Sequence, residues 1–175
     1  MANTVRITSG KFRGRMIATP GGKTHPMGER ERLALFNMIS AYLPSSRVLD
    51  AFAGSGALGI EALSRDAKEV VFVDNSRDAI NTIKANLRNL SLDDFVEVVK
   101  SEVSSFSSRE KFGVILVDPP YDDFDVVKFA HLTNNLADDG ALVLSHPGDA
   151  PTIEGLRVIK TRKYANATIS VYIKG

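Results

Sequence analysis

Cysteine is missing from all 175 residues of this chain. Without a thiol there is no disulfide, no thiolate zinc site and no cysteine nucleophile. The cysteine-dependent route to methylating carbon 5 of a pyrimidine is therefore closed. Histidine is scarce: His25, His131 and His146 stand too far apart in sequence to suggest a metal site, and no metal is expected. No apolar run approaches the roughly 20 residues of a membrane helix, and no signal-peptide pattern opens the chain. A cytoplasmic protein with no membrane partner is the expectation, and a monomer is favoured. What is present is ordinary for a globular domain. A composition of 43% hydrophobic and 25% charged residues argues against disorder, and the length suits one domain with a real core but not two.

The net charge of +1 hides a strong asymmetry. The first 32 residues carry Arg6, Lys11, Arg13, Arg15, Lys23, Arg30 and Arg32 against Glu29 and Glu31, a net of +5. Residues 157–175 carry Arg157, Lys160, Arg162, Lys163 and Lys174 with no acid, another +5, which leaves −9 between them. Basic ends around an acidic centre suit an anionic partner gripped by the termini. A solvated basic tail is the plain alternative.

Two short strands, 5–8 and 15–18, flank a Gly10-to-Gly14 turn and form a basic hairpin. Apolar residues at 35, 36, 39 and 43 mark a helix over 30–43, stopped by Pro44. Strands and helices then alternate: strands at 47–52, 69–74, 96–100, 114–118 and 141–146, helices at 57–64, 77–90 and 124–136. After Pro147 the rhythm breaks, and 156–163 with 167–174 read as a closing antiparallel hairpin. This alternation predicts an α/β fold: a mostly parallel, Rossmann-like sheet covered on both faces. One domain is expected, with 1–26 as a basic hairpin extension and 27–175 as the catalytic core.

The first core strand runs into Asp50-Ala-Phe-Ala-Gly54-Ser-Gly56-Ala-Leu-Gly59. Gly54, Gly56 and Gly59 fit G-x-G-x-x-G between a strand and a helix, and Asp74 ends the next strand 20 residues after Gly54. That context points to a nucleotide-like ligand: glycines admit the backbone to it, and the acid holds ribose hydroxyls. Asp50 sets the choice of ligand. A carboxylate four residues before Gly54 repels the pyrophosphate of NAD but suits the cationic amino group of S-adenosylmethionine. The alternative is a structural Asp50 capping loop amides. Phe52 either covers the ligand or fills the core. Asn75 adjoins Asp74 in the expected pocket, and Glu102 either accepts from an adenine amine or is a solvated loop acid.

The apolar strand Val114-Ile-Leu-Val117 ends in Asp118-Pro119-Pro120-Tyr121. Strand carboxyl ends are where open α/β sheets bind ligands. Tyr121 offers a stacking face, Asp118 offers acceptors, and the prolines fix the backbone between them. An exocyclic amine on a nucleobase is a poor nucleophile because its lone pair is delocalised into the ring. Accepting its hydrogens at the Asp118 carboxylate and the Pro119 carbonyl favours a pyramidal nitrogen, while Tyr121 stacks on the unstacked base. The alternative is a Pro-Pro loop with Tyr121 packed on the sheet.

These motifs resemble the S-adenosylmethionine-dependent methyltransferases with a D/N-P-P-Y/F tetrapeptide, and more closely the bacterial 16S ribosomal RNA guanine-N2 methyltransferase family. The likeness runs through the hairpin Arg6-to-Arg15, the segment Arg30-Glu-Arg-Leu-Ala-Leu-Phe-Asn37, the loop Asp50-to-Arg65, Asp118-to-Tyr121, and Lys163-Tyr164 with the last strand. The resemblance implies a Rossmann-like fold, S-adenosylmethionine as cofactor, and small-subunit ribosomal RNA or the assembling subunit as partner. It implies Asp118, Pro119, Pro120 and Tyr121 at the catalytic centre. It implies Asp50, Phe52, Gly54, Gly56, Gly59, Asp74, Asn75, Glu102 and Asp118 around the cofactor, and Arg6, Lys11, Arg13, Arg15, Arg30 and Arg32 on the RNA. The chain departs from the family pattern at His25-Pro26-Met27, Leu33, Glu102 and Ser145-His146. DNA adenine-N6 or cytosine-N4 methylation and a non-catalytic nucleotide- or RNA-binding module are the other readings.

Overall fold

The computed structural model describes residues 3–22 and 26–175; Met1, Ala2, Lys23, Thr24 and His25 lie outside the described residues. The core strands are β3 (Arg47–Ala51), β4 (Glu69–Asp74), β5 (Val96–Lys100), β6 (Phe112–Val117), β7 (Leu136–His146), β8 (Leu156–Lys163) and β9 (Thr168–Lys174). They form one seven-stranded sheet in the order β5-β4-β3-β6-β7-β9-β8. The first five run parallel, and β9 then lies antiparallel between β7 and β8. The chain winds outward from β3 in one direction, then returns to place β6 on the other side. A crevice opens at that reversal, between the carboxyl ends of β3 and β6.

Both faces of the sheet are apolar because successive residues alternate sides. Val48, Val70, Val114 and Val143 face a layer built from α1 (Glu29–Met38), α2 (Ala57–Ser64) and α3 (Arg77–Asn89), where they pack with Leu35, Phe36, Leu58, Ile83 and Leu87. Leu49, Val71, Ile115 and Leu142 face the other way, against Phe106, Phe129 and Leu132. Gly59 sets how closely α2 sits: a Cβ there would lie 2.2 Å from the Phe72 ring and 2.9 Å from Val70.

The second face departs from expectation. The predicted helix over 124–136 is absent, replaced by 3-10 turns at Val126–Lys128 and Ala130–Asn135. The residues that turn inward, Val126, Phe129, Leu132 and Asn135, recur every three positions, the period of a 3-10 helix rather than of an α-helix. Adjacent β-branched Val126 and Val127, and Thr133-Asn-Asn135, also lower α-helix propensity. Elsewhere only boundaries move. α1 stops at Met38 and a 3-10 turn follows at Ser40–Tyr42. β7 begins at Leu136 rather than 141, pairing Leu136 with Phe112 ahead of a bulge.

The N-terminal hairpin pairs β1 (Thr4–Arg6) with β2 (Met16–Ala18), and Ile7 and Ile17 enter the helix-covered core. Glu61 of α2, fully buried, fastens it. Its carboxylate accepts from the Thr8 amide (2.9 Å), the Ser9 amide (3.0 Å) and Arg65 Nε (3.2 Å). Ser64 adds a bond from the Phe12 amide to its hydroxyl (2.9 Å). Asn86 of α3 is buried at the other end, exchanging hydrogen bonds with the Ala18 backbone and donating to the Ser55 carbonyl (3.0 Å). Arg32, expected on the RNA, belongs to this fastening. It is 0% exposed, donates to the Met27 and Arg6 carbonyls, and places Nε 3.8 Å from Glu61. A cation so enclosed cannot reach a phosphate at the surface, so Arg32 leaves the RNA-facing set.

Candidate active site

Two groups of residues meet at the crevice between β3 and β6. On the β3 side, Asp50 is 1% exposed and its Oδ2 accepts from the Gly59 amide at 2.8 Å. One oxygen therefore caps the loop, as the structural alternative held. Burial holds the Asp50 carboxyl well above the usual carboxylate range; the Gly59 amide opposes this, and Asp118 and Asp74 add to it by charge repulsion. Gly54 has φ +56° with nothing within 4 Å of a built Cβ, so the loop backbone is open to a ligand at that point. Phe52 also has φ +60°, a strained conformation for a bulky residue, and packs against the second-face core.

Asp74 ties this loop to the next strand. Its Oδ2 accepts from the Gly54 amide (2.9 Å) and its Oδ1 from the Ser76 amide (2.8 Å). Asn75 Nδ2 donates to Glu102 Oε1 at 2.8 Å, so the ends of β4 and β5 meet beside Asp74. Gly56, with φ +81°, is the N-cap of α2.

On the β6 side, Asp118 follows the last strand residue, Pro119 is buried and Pro120 is exposed. Tyr121 begins a 3-10 turn (Tyr121–Asp123) and its phenol hydrogen-bonds the Ser145 hydroxyl. Ser145 is 2% exposed. The pairing of Leu144 with Val117 sets Ser145 beside Asp118, whose carboxyl is pushed up to about 6 by burial, with the Ser145 hydroxyl opposing the shift. Burial likewise raises the Tyr121 phenol. Phe124 stands edge-on to Phe129 (6.0 Å between centroids) and near the His146 ring. In the sequence Ser145 was legible only as a departure from a family pattern; its position opposite Tyr121 follows from the register of β7, which no local pattern encodes.

The crevice thus gathers Asp50, Asp74 and Asp118 with no salt-bridge partner for any of them among the described residues. Such a cluster favours a cationic ligand, which is attracted to all three.

The expected RNA-facing cations divide. Arg6 pairs with Glu29 (3.7 Å) and Lys11 with Asp66 (3.0 Å), all exposed. Arg15 donates to the Asn89 carbonyl at 3.4 Å. Arg13 and Arg30 are exposed and make no ion pair among the described residues.

The family model described as Conserved hypothetical protein 95 matches residues 5–173. YlbH of Bacillus subtilis (strain 168), provisionally named an rRNA methyltransferase, is 34% identical over 97% of this chain and 99% of its own. Ribosomal RNA small subunit methyltransferase D of Haemophilus influenzae is 37% identical over 67% of this chain and 64% of its own length. Among solved structures, the Escherichia coli protein yhhF, provisionally named a methyltransferase, aligns with a TM-score of 0.88 and 28% identity over 98% of both chains.

Proposed function

Because the chain belongs to the Conserved hypothetical protein 95 family, we propose that it transfers a methyl group from S-adenosylmethionine to the exocyclic N2 amine of a guanine in small-subunit ribosomal RNA. The observation that carries the reading is the seam between β3 and β6, where the Asp50 loop and Asp118-to-Tyr121 come together. The names of the relatives point the acceptor toward ribosomal RNA.

The donor set fits S-adenosylmethionine. Three unpaired carboxylates suit a ligand with a cationic amino group and disfavour the pyrophosphate of a dinucleotide. Gly54 leaves room for a ligand against the backbone. Asp50, Phe52, Gly54, Gly56 and Gly59 are the first wall of that pocket, and Asp74, Asn75 and Glu102 the second. When bound, S-adenosylmethionine supplies an electrophilic methyl carbon on a sulfonium. The rest falls to the chain. Asp118 and the Pro119 carbonyl accept the hydrogens of the base amine and hold its nitrogen pyramidal. Tyr121 stacks on the ring and is itself aimed by Ser145. The work is orientation and electrostatics. Arg6, Lys11, Arg13, Arg15 and Arg30 would meet phosphates, which position the RNA without choosing the base.

The test is transfer of labelled methyl from the cofactor to 16S ribosomal RNA, to subunits lacking the modification, and to duplex DNA, with the product mapped by mass spectrometry. N2-methylguanine in RNA is the expected product. No label in either RNA substrate, or label only in DNA adenine or cytosine, overturns the reading.

Ser145 gives a second expectation. Its hydroxyl favours the ionised form of Asp118, so Ser145→Ala raises the Asp118 carboxyl further. The acid limb of the pH profile of kcat/KM then moves to higher pH. One lost hydrogen bond is worth about 1 kcal/mol, so activity on the acid side falls about fivefold more than on the alkaline side. Ser145→Thr, which keeps the hydroxyl, restores the profile. A loss equal at every pH would mean that Ser145 acts through Tyr121 and not on the Asp118 carboxyl.

A further inference from the structure

The second basic segment, residues 157–175, has no part in the site described above, yet the sheet carries it to the same mouth. Lys163 of β8 pairs with Thr168 of β9, and Thr168 pairs with His146 of β7, the residue after Ser145. The end of β8 therefore lies at the edge of the sheet that holds Asp50 and Asp118. Between β8 and α1 runs a cleft of about 580 Å³, lined by Arg30, Leu33 and Asn37 from the helix and by Lys160, Arg162 and Tyr164 from the strand and the residue after it.

The charges of this cleft are unspent. Lys163 is paired with Asp149 and Lys174 with Asp138, just as Arg6 and Lys11 are paired at the hairpin. Arg30 and Arg162 make no ion pair or side-chain hydrogen bond among the described residues, and Lys160 donates only to the Met38 carbonyl, at 3.1 Å. No acid lines the cleft. The Tyr164 hydroxyl is buried without a hydrogen-bond partner, an uncommon state for a buried polar atom, and it can both donate and accept. Leu33 is 41% exposed beside it. Three cations without an ion pair, an exposed apolar side chain and the lining Tyr164 form a site for phosphate with a base laid alongside.

We propose that this cleft binds the sugar–phosphate backbone of the substrate RNA, so that the RNA is held at Lys160 and Arg162 as well as at the N-terminal hairpin. This rests on the RNA reading above and extends the grip from Arg30, next to the Glu29 that pairs with Arg6 of the hairpin, to the cations of β8. The competing role for these charges is protection of an edge strand. β8 has β9 on one side only, and lysine or arginine on such a strand discourages pairing with another molecule.

Charge reversal separates the two roles, because Lys160→Glu with Arg162→Glu keeps the edge charged. Affinity for a 16S ribosomal RNA transcript is measured by titration at several salt concentrations, with the melting temperature as the check on folding. Lys160→Ala with Arg162→Ala is expected to weaken binding about tenfold and to flatten the log–log salt slope by about two. The reversal variant is expected to weaken it further, and Arg162→Lys to keep the wild-type slope. A wild-type slope and affinity in folded Ala and Glu variants overturns the proposal and leaves edge protection as the role; so does a loss confined to duplex DNA. The assay needs no turnover, so absence of methyl transfer to RNA defeats the proposed reaction without altering this readout.

Discussion

Asp118→Ala is expected to lower methyl transfer about a thousandfold, and Asp118→Asn to make the free protein more stable at neutral pH. The rate loss follows from the role of the carboxylate. In the proposed reaction it is the acceptor that holds the base amine in its reactive shape, and losing one preorganised partner of a developing charge costs on the order of 10²–10³ in rate. Alanine removes the acceptor, whereas asparagine keeps the shape and one carbonyl acceptor but carries no charge. The stability gain follows from the sign of the pKa shift. The Asp118 carboxyl sits at about 6 in the folded protein, above the roughly 3.9 of an unfolded chain. Its contribution is fully present below about pH 4 and is lost as pH rises through about 6. At pH 8 the folded state therefore carries a penalty of about 2–3 kcal/mol that the asparagine variant does not. Calorimetric melting at pH 4 and pH 8 reads this directly: the difference between variant and wild type appears only at the higher pH. Transfer assays, with S-adenosylhomocysteine titration showing the cofactor site intact, read the rest. Undiminished transfer removes Asp118 from the reaction; equal melting at pH 8 removes the burial argument.

Glu61→Ala is expected to be the most damaging single change to the fold. It strips partners from the Thr8 and Ser9 amides and from Arg65 at once, and it leaves Arg32 with no buried counter-charge. Breaking a buried pair from one side costs about 3–5 kcal/mol, or roughly 10 °C in melting temperature for a chain of this size. Arg32→Met alone is expected to do less harm, because Arg65 stays 3.2 Å from the carboxylate, and Arg32→Met with Glu61→Ala to cost less than the two separately. Denaturant unfolding of the four proteins measures the coupling. Simple additivity would mean that Glu61 and Arg32 serve separate tasks.

The core β–α units were readable because each carried two consistent signals. The segments 57–64 and 69–74 had the right period and the right flanking residues, glycines at one end and an acid at the other, and both sit in the structure at those bounds. The segment 124–136 carried an apolar pattern that fits either three or 3.6 residues per turn, and only the packing of Phe129 and Leu132 under the sheet decides between them. Arg32 shows a different limit. In sequence it is one more cation in a basic stretch. What removes it from the surface is Glu61, almost thirty residues away, and such a pairing has no local trace. The meeting of Asp50 and Asp118 was foreseeable, since both end neighbouring parallel strands. The meeting of Tyr121 and Ser145 was not, since it depends on the stagger of β7 against β6.

The 3-10 cover of the second face has a dynamic consequence. Its turns have weaker hydrogen-bond geometry than the α-helices opposite, and Phe129 and Leu132 hold it down by side-chain burial rather than by backbone propensity. Segments held this way open locally at lower free energy than a helix-covered core. Tyr121 and Phe124 stand where this cover begins. The wall formed by Tyr121 and Phe124 is therefore more compliant than the wall formed by the Asp50 loop, which is locked by Gly59 and α2. In the proposed reaction the cofactor side is pre-set, and adjustment to a bulky base falls to the other side.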